Sequence, residues 1–256
     1  VEGTKTEVSY FRYVEKFREK LGIEAIVHIK VLRKNDTKSD PVNVLELLEE
    51  YIQFRESDTF KTELSKLELK NYDQDFIKAY LEDPDHINKR KRNKFEAVLR
   101  QERIDLLYLD FLSRYRGKDD AFGIVIDRDC GSHSVDQMDE IIKKCHEKHY
   151  YCFITNPCLE FWQLLHVSDV AEEYKDQLDA ILTNKKDDQG NSFVSNLLYD
   201  KTKQRKTIPY KTFLKYYLPN INLAIERAQA FAPSSDLINQ LGSNLWELFD
   251  LLRKQY

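Results

Sequence analysis

Acidic side chains occupy the positions where an open α/β fold places its ligands. Asp127 and Asp129 directly follow the apolar run 121–126, Glu2 stands near the beginning of the chain, and Glu160 lies one turn into a predicted helix. Because ligands of a parallel sheet bind outside the carboxyl ends of the strands, we expect these four carboxylates to converge at one edge. Their mutual repulsion requires cations, and oxygen-rich sites suit Mg²⁺ or Mn²⁺. The pattern therefore predicts a divalent metal site that clamps a phosphodiester and activates water.

Ordinary structural explanations exist for the same acidic residues. Glu7 has the Thr-x-x-Glu spacing of a capping box with Thr4, which explains it without any ligand. Asp127 and Asp129 also fit a polar turn that caps a helix. The charge of Glu160 is favoured at a helix N-terminus by the macrodipole. Two acids directly after a buried apolar strand nevertheless favour a site over a simple turn.

Two basic runs could supply the phosphate contacts that such a reaction needs. Runs of this kind usually form solvated helix faces, but next to an acidic site they bind phosphates locally. The first run is Lys89-Arg90-Lys91-Arg92 followed by Lys94, and the second comprises Lys201, Lys203, Arg205 and Lys206. We take Lys5, Lys89, Arg90, Lys91 and Arg92 as candidate substrate contacts.

A cluster of cysteine and histidine offers a competing metal site. Its members are Cys145, His146, His149, Cys152 and Cys158. They lack a Cys-x-x-Cys knuckle and extend across a predicted helix end and a buried strand, so a structural zinc site is not favoured. With Cys130 the chain has four cysteines, too few for a disulfide scaffold, and a reducing cytoplasm is expected.

The N-terminal elements are predicted from apolar spacing and from helix-terminal residues. A capped helix begins near Thr4 and ends at Gly22, which stands where a C-cap belongs. The β-branched run Ala25–Leu32 is typical of a buried parallel strand. Asp40-Pro41 then opens a helix through about Arg55, with proline at the first helical position. The chain starts at Val1, and we expect a first strand to be truncated there.

After residue 117 the strand and helix alternation resumes. A strand at 121–126 precedes a helix with a capping box at Ser134 and Gln137, and a strand follows at Tyr150–Ile154. Asn156 is expected to be the N-cap of the next helix. His166 on that apolar helix fits a core histidine better than a catalyst.

This rhythm predicts an α/β fold with a parallel sheet flanked by helices and joined by right-handed crossovers. Residues 1–56 and 118–167 would form the core, and residues 57–117 read as a helical insertion. Residues 168–256 are expected to be a mostly helical part packed on the core, and its last helix is capped by Asn244 with Glu247 three residues on.

Composition narrows the class of protein. The 256 residues are 41% hydrophobic and 12% aromatic with only 7 Gly and 6 Pro, which excludes a disordered or collagenous chain. The net charge of −4 does not indicate a strongly basic nucleic-acid binder, so any anionic partner must be held by local patches or by metal. No stretch approaches the roughly 18 uninterrupted apolar residues of a membrane span, so no membrane partner is expected.

Several blocks together resemble one protein family. They are Val1–Glu7 with Tyr10-Phe11, Ile124–Asp129, Thr155–His166, Ala224–Gln229 and Ser243–Leu248. In this order they are similar to the RloB-like family, whose members carry a topoisomerase–primase (TOPRIM) type catalytic domain. The resemblance implies that the parallel sheet of residues 1–56 and 118–167 is TOPRIM-like. The resemblance covers most of the chain outside residues 57–117, and the long basic insertion departs from the family's compact pattern.

The resemblance implies a role for each acidic residue. Glu2 matches the TOPRIM glutamate, and Asp127 and Asp129 match the metal-binding pair. Glu7 matches the second acid of a Glu-Gly-x-x-Thr-Glu variant, similar to that of the overcoming-lysogenization-defect nucleases, and Glu160 matches the acid after Asn-Pro. The family implies a metal-dependent nuclease of DNA or RNA in bacterial phage defence, often beside an ATPase partner, and some related TOPRIM effectors cleave RNA.

Two other functions stay open on the sequence. A haloacid-dehalogenase-like phosphatase would use Asp127 as nucleophile and Asp129 as acid, with Thr155 at the next strand end, but Gly131 replaces the usual Thr or Val. A non-catalytic adaptor would keep the fold and dock on an ATPase through aromatic helices such as Tyr210–Tyr217, although core burial is the commoner explanation for such residues.

Overall fold

The computed structural model describes residues 6–23, 41–56, 72–82, 87–101, 121–129, 131–205 and 207–253. The strands are β1 (Gly123–Asp127), β2 (Tyr151–Asn156) and β3 (Gly242–Ser243). The α-helices are α1 (Thr6–Lys16), α2 (Pro41–Glu56), α3 (Gln74–Glu82), α4 (Lys89–Gln101), α5 (Val135–Glu147), α6 (Leu159–Val167), α7 (Val170–Glu173), α8 (Leu178–Thr183), α9 (Phe193–Thr202), α10 (Tyr210–Thr212), α11 (Ile221–Ala228) and α12 (Leu245–Arg253). Shorter helical turns, including a π-helical turn at Phe213–Tyr217, connect several of these helices.

The sheet is small and mixed, in an otherwise largely helical α/β protein. β1 and β2 are parallel, with Asp127 opposite Thr155, and helix α5 makes the crossover between them. β3 pairs with β2 in the antiparallel sense, placing Gly242 beside Asn156. This neighbour corrects the expectation of a purely parallel sheet, because a two-residue strand is too short to show any periodicity in sequence. The strand predicted at Ala25–Leu32 lies outside the described residues.

Several predicted helix termini are confirmed. In α5 the Ser134 hydroxyl accepts from the Gln137 backbone, and the Gln137 side chain accepts from the Ser134 backbone. Helix α2 begins at Pro41, where the proline requires no hydrogen-bond partner for a backbone N–H. Gly22 has the left-handed backbone (φ 71°) of a C-cap, but α1 itself ends at Lys16 and a 3₁₀ turn makes the connection.

Helix α6 begins later than the sequence predicts. Asn156 is the last residue of β2, and its side-chain amide donates to the carbonyl of Leu237. The N-cap of α6 is Cys158. The prediction of Asn156 as an N-cap is therefore wrong, because this buried side chain satisfies a loop carbonyl of the C-terminal part instead.

Asn244 precedes α12 as expected, but its side chain forms hydrogen bonds with strand β2. Its oxygen accepts from the Ile154 backbone at 2.6 Å, and its nitrogen donates to the Cys152 carbonyl at 3.1 Å. The carboxamide thus continues the backbone pairing of β2 beyond the short strand β3. This contact fixes the start of the last helix against the sheet.

The described chain divides into two compact units. One runs from the start to Leu47 and resumes at Ala121, and the other runs from Leu48 to Asp120. The larger unit has a core built on α1, α6, α9, α11, α12 and the Phe213–Tyr217 turn. Its fully buried aromatic residues are Tyr10, Phe11, Phe161, Trp162, Phe213, Tyr217 and Phe249.

The smaller unit has a separate core between α3 and α4. Ile77 and Tyr80 of α3 pack with Phe95 and Leu99 of α4, and all four are buried. Among the described residues, no helix has the length and apolarity required to cross a membrane.

Candidate active site at the carboxyl edge of the sheet

Asp127 ends β1 at the edge where ligands of parallel sheets bind. Its Oδ1 accepts a hydrogen bond from the Leu159 backbone at 3.0 Å, so the carboxylate is tied to the first turn of α6. The side chain remains partly exposed. A carboxylate held in this way has a fixed position while part of its surface stays open to a ligand.

Asp129 lies at the tight turn that follows. Its backbone has a φ of 28°, in the left-handed region, and its N–H donates to the Pro157 carbonyl at 3.0 Å. The Ser132 hydroxyl donates to its Oδ2 at 2.8 Å. Asp129 is exposed, so the turn holds its carboxylate on the solvent side of the edge.

Arg128, between these two aspartates, is a buried cation that has no sequence signal of its own. Its Nε donates to the Ile238 carbonyl and its Nη1 to the His133 carbonyl, both at 2.7 Å. It therefore ties the turn after β1 to the C-terminal part of the chain. Only the position of Arg128 within the Asp-x-Asp motif could have drawn attention to it.

Glu160 stands in the first turn of α6 and faces the first turn of α1. The Thr6 hydroxyl donates to Glu160 Oε1 at 3.4 Å. Glu7 follows Thr6, and burial raises the pKa of Glu7 to about 7, with the negative charge of Glu160 acting in the same direction. Helices α1 and α6 thus bring two carboxylates into electrostatic interaction from residues 153 positions apart.

Cys158 lies close enough to both Glu160 and Asp127 to be affected by their charges. Burial raises the pKa of its thiol, and the charges of Glu160 and Asp127 raise it further. The Asn184 side chain donates to its Sγ at 3.4 Å. Asp127, Glu160 and Glu7 therefore share one acidic neighbourhood, with the half-buried Cys158 beside Glu160 and Asp127.

The described part of the chain does not complete a metal site. No group of three or more His, Cys, Asp or Glu among those residues is close enough to hold an ion. Glu2 and Lys5 lie outside the described residues, so the ligand set with Glu2, Asp127 and Asp129 stays a prediction. The described acids are hard oxygen donors of the kind that Mg²⁺ and Mn²⁺ prefer.

His166 is a core residue, as expected. The Tyr217 carbonyl can only accept, so His166 Nδ1, 3.1 Å away, carries the proton of the neutral ring and donates to it. His166 Nε2 then accepts from the Tyr10 hydroxyl at 3.1 Å, and that hydroxyl accepts from Trp162 Nε1 at 2.8 Å. Burial lowers the pKa of the imidazole to about 3, so the neutral ring is a structural hydrogen-bonding element.

The competing cysteine cluster is not assembled among the described residues. The Cys145 thiol contacts Cys152, and this hydrogen bond together with burial raises the pKa of Cys152. Cys158 instead lies beside the acids, and His146 and His149 are exposed. The described cysteines form no disulfide.

Thr155 bears on the phosphatase alternative. It lies opposite Asp127 in the sheet, but its hydroxyl is paired with Ser243 at 2.8 Å and the residue is 1% exposed. A phosphatase of the haloacid-dehalogenase type would need this hydroxyl for phosphate. The pairing between β2 and β3 therefore counts against that alternative.

The aromatic segment Tyr210–Tyr217, considered above as a docking face, is largely core. Phe213 and Tyr217 are buried, whereas Tyr210 is exposed beside Tyr13 with Lys16 Nζ 4.9 Å from its ring. The segment therefore stabilises the larger unit and offers little apolar surface to a partner.

The two basic runs lie in different units. In the first run Lys89, Arg90, Lys91 and Lys94 are exposed, and Arg92 is half-buried with its Nε 3.8 Å from Glu96.

In the second run Lys201 pairs with Glu173, and Arg205 stacks on Tyr199 with 3.9 Å between guanidinium and ring centre. The Ile208 backbone then donates to the Ser9 hydroxyl at 3.1 Å. The chain leaving this run therefore passes beside the first turns of α1, which carry Glu7. Lys206 lies outside the described residues.

A family model described as RloB-like protein matches residues 1–252. The match covers essentially the whole chain, and the protein belongs to the RloB-like family. Neither the curated proteins nor the solved structures contain a match.

Proposed function

We propose that this protein is a TOPRIM-type nuclease that hydrolyses phosphodiesters with the help of a divalent metal ion. The observation that carries the proposal is the meeting of Asp127, Glu160 and Glu7 at the carboxyl edge of β1 and β2. These acids come from three separate elements, and one of them has its pKa raised to about 7. A carboxyl group whose pKa is raised by burial and by a neighbouring charge, at an edge of the sheet where ligands bind, supports a site for a cation or for proton transfer.

Glu2, Asp127 and Asp129 would hold the Mg²⁺ or Mn²⁺ ion, and Glu7 and Glu160 would complete or orient its surroundings. The ion would supply the positive charge that polarises a phosphodiester and favours attack by water. The protein's own part is to fix the acids: the Leu159 N–H holds Asp127, and the Thr6 hydroxyl holds Glu160.

The biological setting follows from the family resemblance. We propose an effector of bacterial antiphage defence that acts in the cytoplasm on DNA or RNA, including tRNA as a candidate, and that works with an ATPase partner. The non-catalytic adaptor is the alternative, and metal binding distinguishes the two. An adaptor has no need of a divalent ion that depends on Asp127 and Asp129.

The test combines calorimetric metal titration with cleavage assays on labelled duplex DNA, single-stranded DNA and folded RNA, with Mg²⁺, Mn²⁺ or EDTA. We expect Asp127→Asn and Glu2→Gln to abolish metal binding and to reduce cleavage by more than about 100-fold, because loss of outer-shell partners alone costs about 10–100-fold. Asp139→Asn, an exposed carboxylate of α5, is the matched control and should behave as wild type.

Metal titration keeps the test informative if cleavage requires the partner protein. Metal binding that survives in Asp127→Asn, or full metal-dependent cleavage by that variant, would contradict the assignment. Absence of any divalent binding by the wild-type protein would favour the adaptor.

A further inference from the structure

Helix α4 is the most strongly charged described element of this protein. Its 13 residues contain six Lys or Arg and one carboxylate, Glu96, which gives a net charge of +5. The whole chain has a net charge of −4. A concentration of positive charge this large on one helix of an acidic protein indicates a local anionic partner.

The helix separates its apolar and cationic residues onto different faces. Phe95 is fully buried, and Leu99 is 5% exposed, both in the core shared with α3. The surface opposite this apolar side, called here the basic face, consists of the exposed residues Lys89, Arg90, Asn93, Lys94 and Ala97, and Lys91 is exposed outside it. The same five residues line a shallow surface depression.

The basic face has the dimensions of a groove-binding helix. Its residues recur at intervals of four, so they rise by about 6 Å per step along one side of a cylinder about 10–12 Å across. A cylinder of this width fits the DNA major groove, which is about 12 Å wide. The small side chain of Ala97 lies on the midline of the face and leaves space there for a close approach. Asn93 offers both a donor and an acceptor, the combination that reads adenine edges.

The charge arrangement is costly for the isolated helix. Positive side chains at a helix N-terminus oppose the macrodipole, and like charges three or four residues apart repel. The first turn of α4 contains no acid, and its backbone is capped by the Asn88 side chain, which accepts from Arg90 at 3.0 Å. Among the described residues no carboxylate pairs with Lys89, Arg90 or Lys94. Such a helix gains stability when an anion covers this face.

The smaller unit's aromatic residues distinguish among anionic partners. Single-stranded nucleic acid needs exposed rings for base stacking. Tyr72, Phe76 and Tyr80 instead surround Phe95, with ring centres 4.7–5.1 Å away, and the basic face has no ring. A membrane surface would need an apolar face free to insert, and that face of α4 is buried against α3.

We propose that the basic face of α4 docks in the major groove of duplex DNA. Lys89, Arg90 and Lys94 contact phosphates, and Asn93 faces the base edges. A-form RNA has a major groove too narrow for a helix, so the geometry selects DNA over double-stranded RNA. Duplex DNA is then the substrate class of the proposed nuclease. Only this assignment rests on the proposed function, because DNA binding by α4 requires no metal.

The test is fluorescence anisotropy of the full chain with a mixed-sequence DNA duplex, in EDTA and at several salt concentrations. We expect Lys89→Gln/Arg90→Gln/Lys94→Gln to bind at least about 10-fold more weakly at low salt and to lower the slope of log K against log salt by about 2–3, one per lost phosphate contact. The matched control, Lys143→Gln/Lys148→Gln/Lys175→Gln, removes three exposed charges from the larger unit and should change affinity by less than about threefold.

A neutral substitution separates groove docking from diffuse attraction. Ala97→Gln adds bulk in the middle of the face without removing charge, and we expect weaker binding with an unchanged salt slope. The proposal is overturned if the triple variant binds as wild type, if the control loses as much affinity, or if Ala97→Gln has no effect. Tighter binding to single strands, to double-stranded RNA or to an acidic polypeptide also overturns it. Loss of nuclease activity in Asp127→Asn with duplex binding retained would leave it intact.

Discussion

Glu7 and His166 have shifted pKa values for the same physical reason but in opposite chemical settings. Burial raises the pKa of Glu7 to about 7 and lowers that of His166 to about 3, because each loses the hydration of its charged form. Glu7 borders a second carboxylate at the open edge of the sheet. His166 has both ring nitrogens satisfied inside the core. A shifted pKa therefore indicates a functional site only where the group also faces a place for a ligand.

The neutrality of His166 makes stability depend on pH. Its pKa is lower in the folded state than in the unfolded chain, so stability is complete above pH 6.5 and is lost as pH falls towards 3. At pH 5.5 we expect this histidine alone to lower the free energy of unfolding by about 1.4 kcal/mol relative to its value well above pH 6.5. Urea unfolding of His166→Gln between pH 7.5 and 5.5 should show a shallower pH dependence than wild type. His146→Gln, at an exposed site, should keep the wild-type slope, and equal slopes in all three proteins would contradict the assignment.

Strand β3 shows how a very short element positions the acidic edge. Two residues suffice because Arg128, Asn156 and Asn244 add side-chain hydrogen bonds between the C-terminal part and the strands. Ser243 also pairs with Thr155. The edge that carries Asp127 is thus supported by the far end of the chain, and changes there should propagate to the site.

Gly242 is the tightest point of this contact. A Cβ at this position would lie 2.7 Å from a methyl group of buried Leu237 and 3.2 Å from the Ala232 backbone. We expect Gly242→Ala to lower the free energy of unfolding by about 1–3 kcal/mol, because overpacking forces neighbouring groups to shift. At Gly131 the nearest atom is 3.6 Å away, so Gly131→Ala is the control and should have little effect in urea denaturation. Equal losses in the two variants would show that the close approach does not limit stability.

At the scale of the whole molecule, two compact units divide the chemistry. The larger unit contains the candidate site acids Glu7, Asp127, Asp129 and Glu160, and the smaller unit contains the basic helix α4 and its own aromatic core. The net charge of −4 is therefore an average over unevenly distributed charges. Because each unit has a buried apolar cluster of its own, we expect the two units to respond separately to a core substitution.

Phe95→Ala tests this division. Truncating a fully buried phenylalanine costs about 3–5 kcal/mol, and the loss should fall on the smaller unit. By hydrogen exchange we expect faster exchange at α3 and α4, and unchanged protection in β1 and β2. Phe249→Ala, at a fully buried site of the larger unit, should give the opposite pattern. Equal loss of protection in both units would mean that they unfold together.

The sequence by itself determined the elements that have a strong local signal. The capping box of α5, the start of α2 at Pro41, and the strands around Asp127 and Ile154 follow from spacing and residue type, since these depend on neighbours along the chain. The strand-edge rule selected Asp127 and Glu160 as site candidates, and the family resemblance added Glu7; their roles stay predictions.

Only the tertiary structure decided how distant segments meet. It assigned Asn156 and Asn244 to the sheet, added β3, buried Arg128, and turned Arg92 towards Glu96 and away from the basic face. Such contacts join residues that lie far apart in sequence or depend on which side of a helix is buried. They leave no periodic signal in the chain, and only the packing of the folded units specifies them.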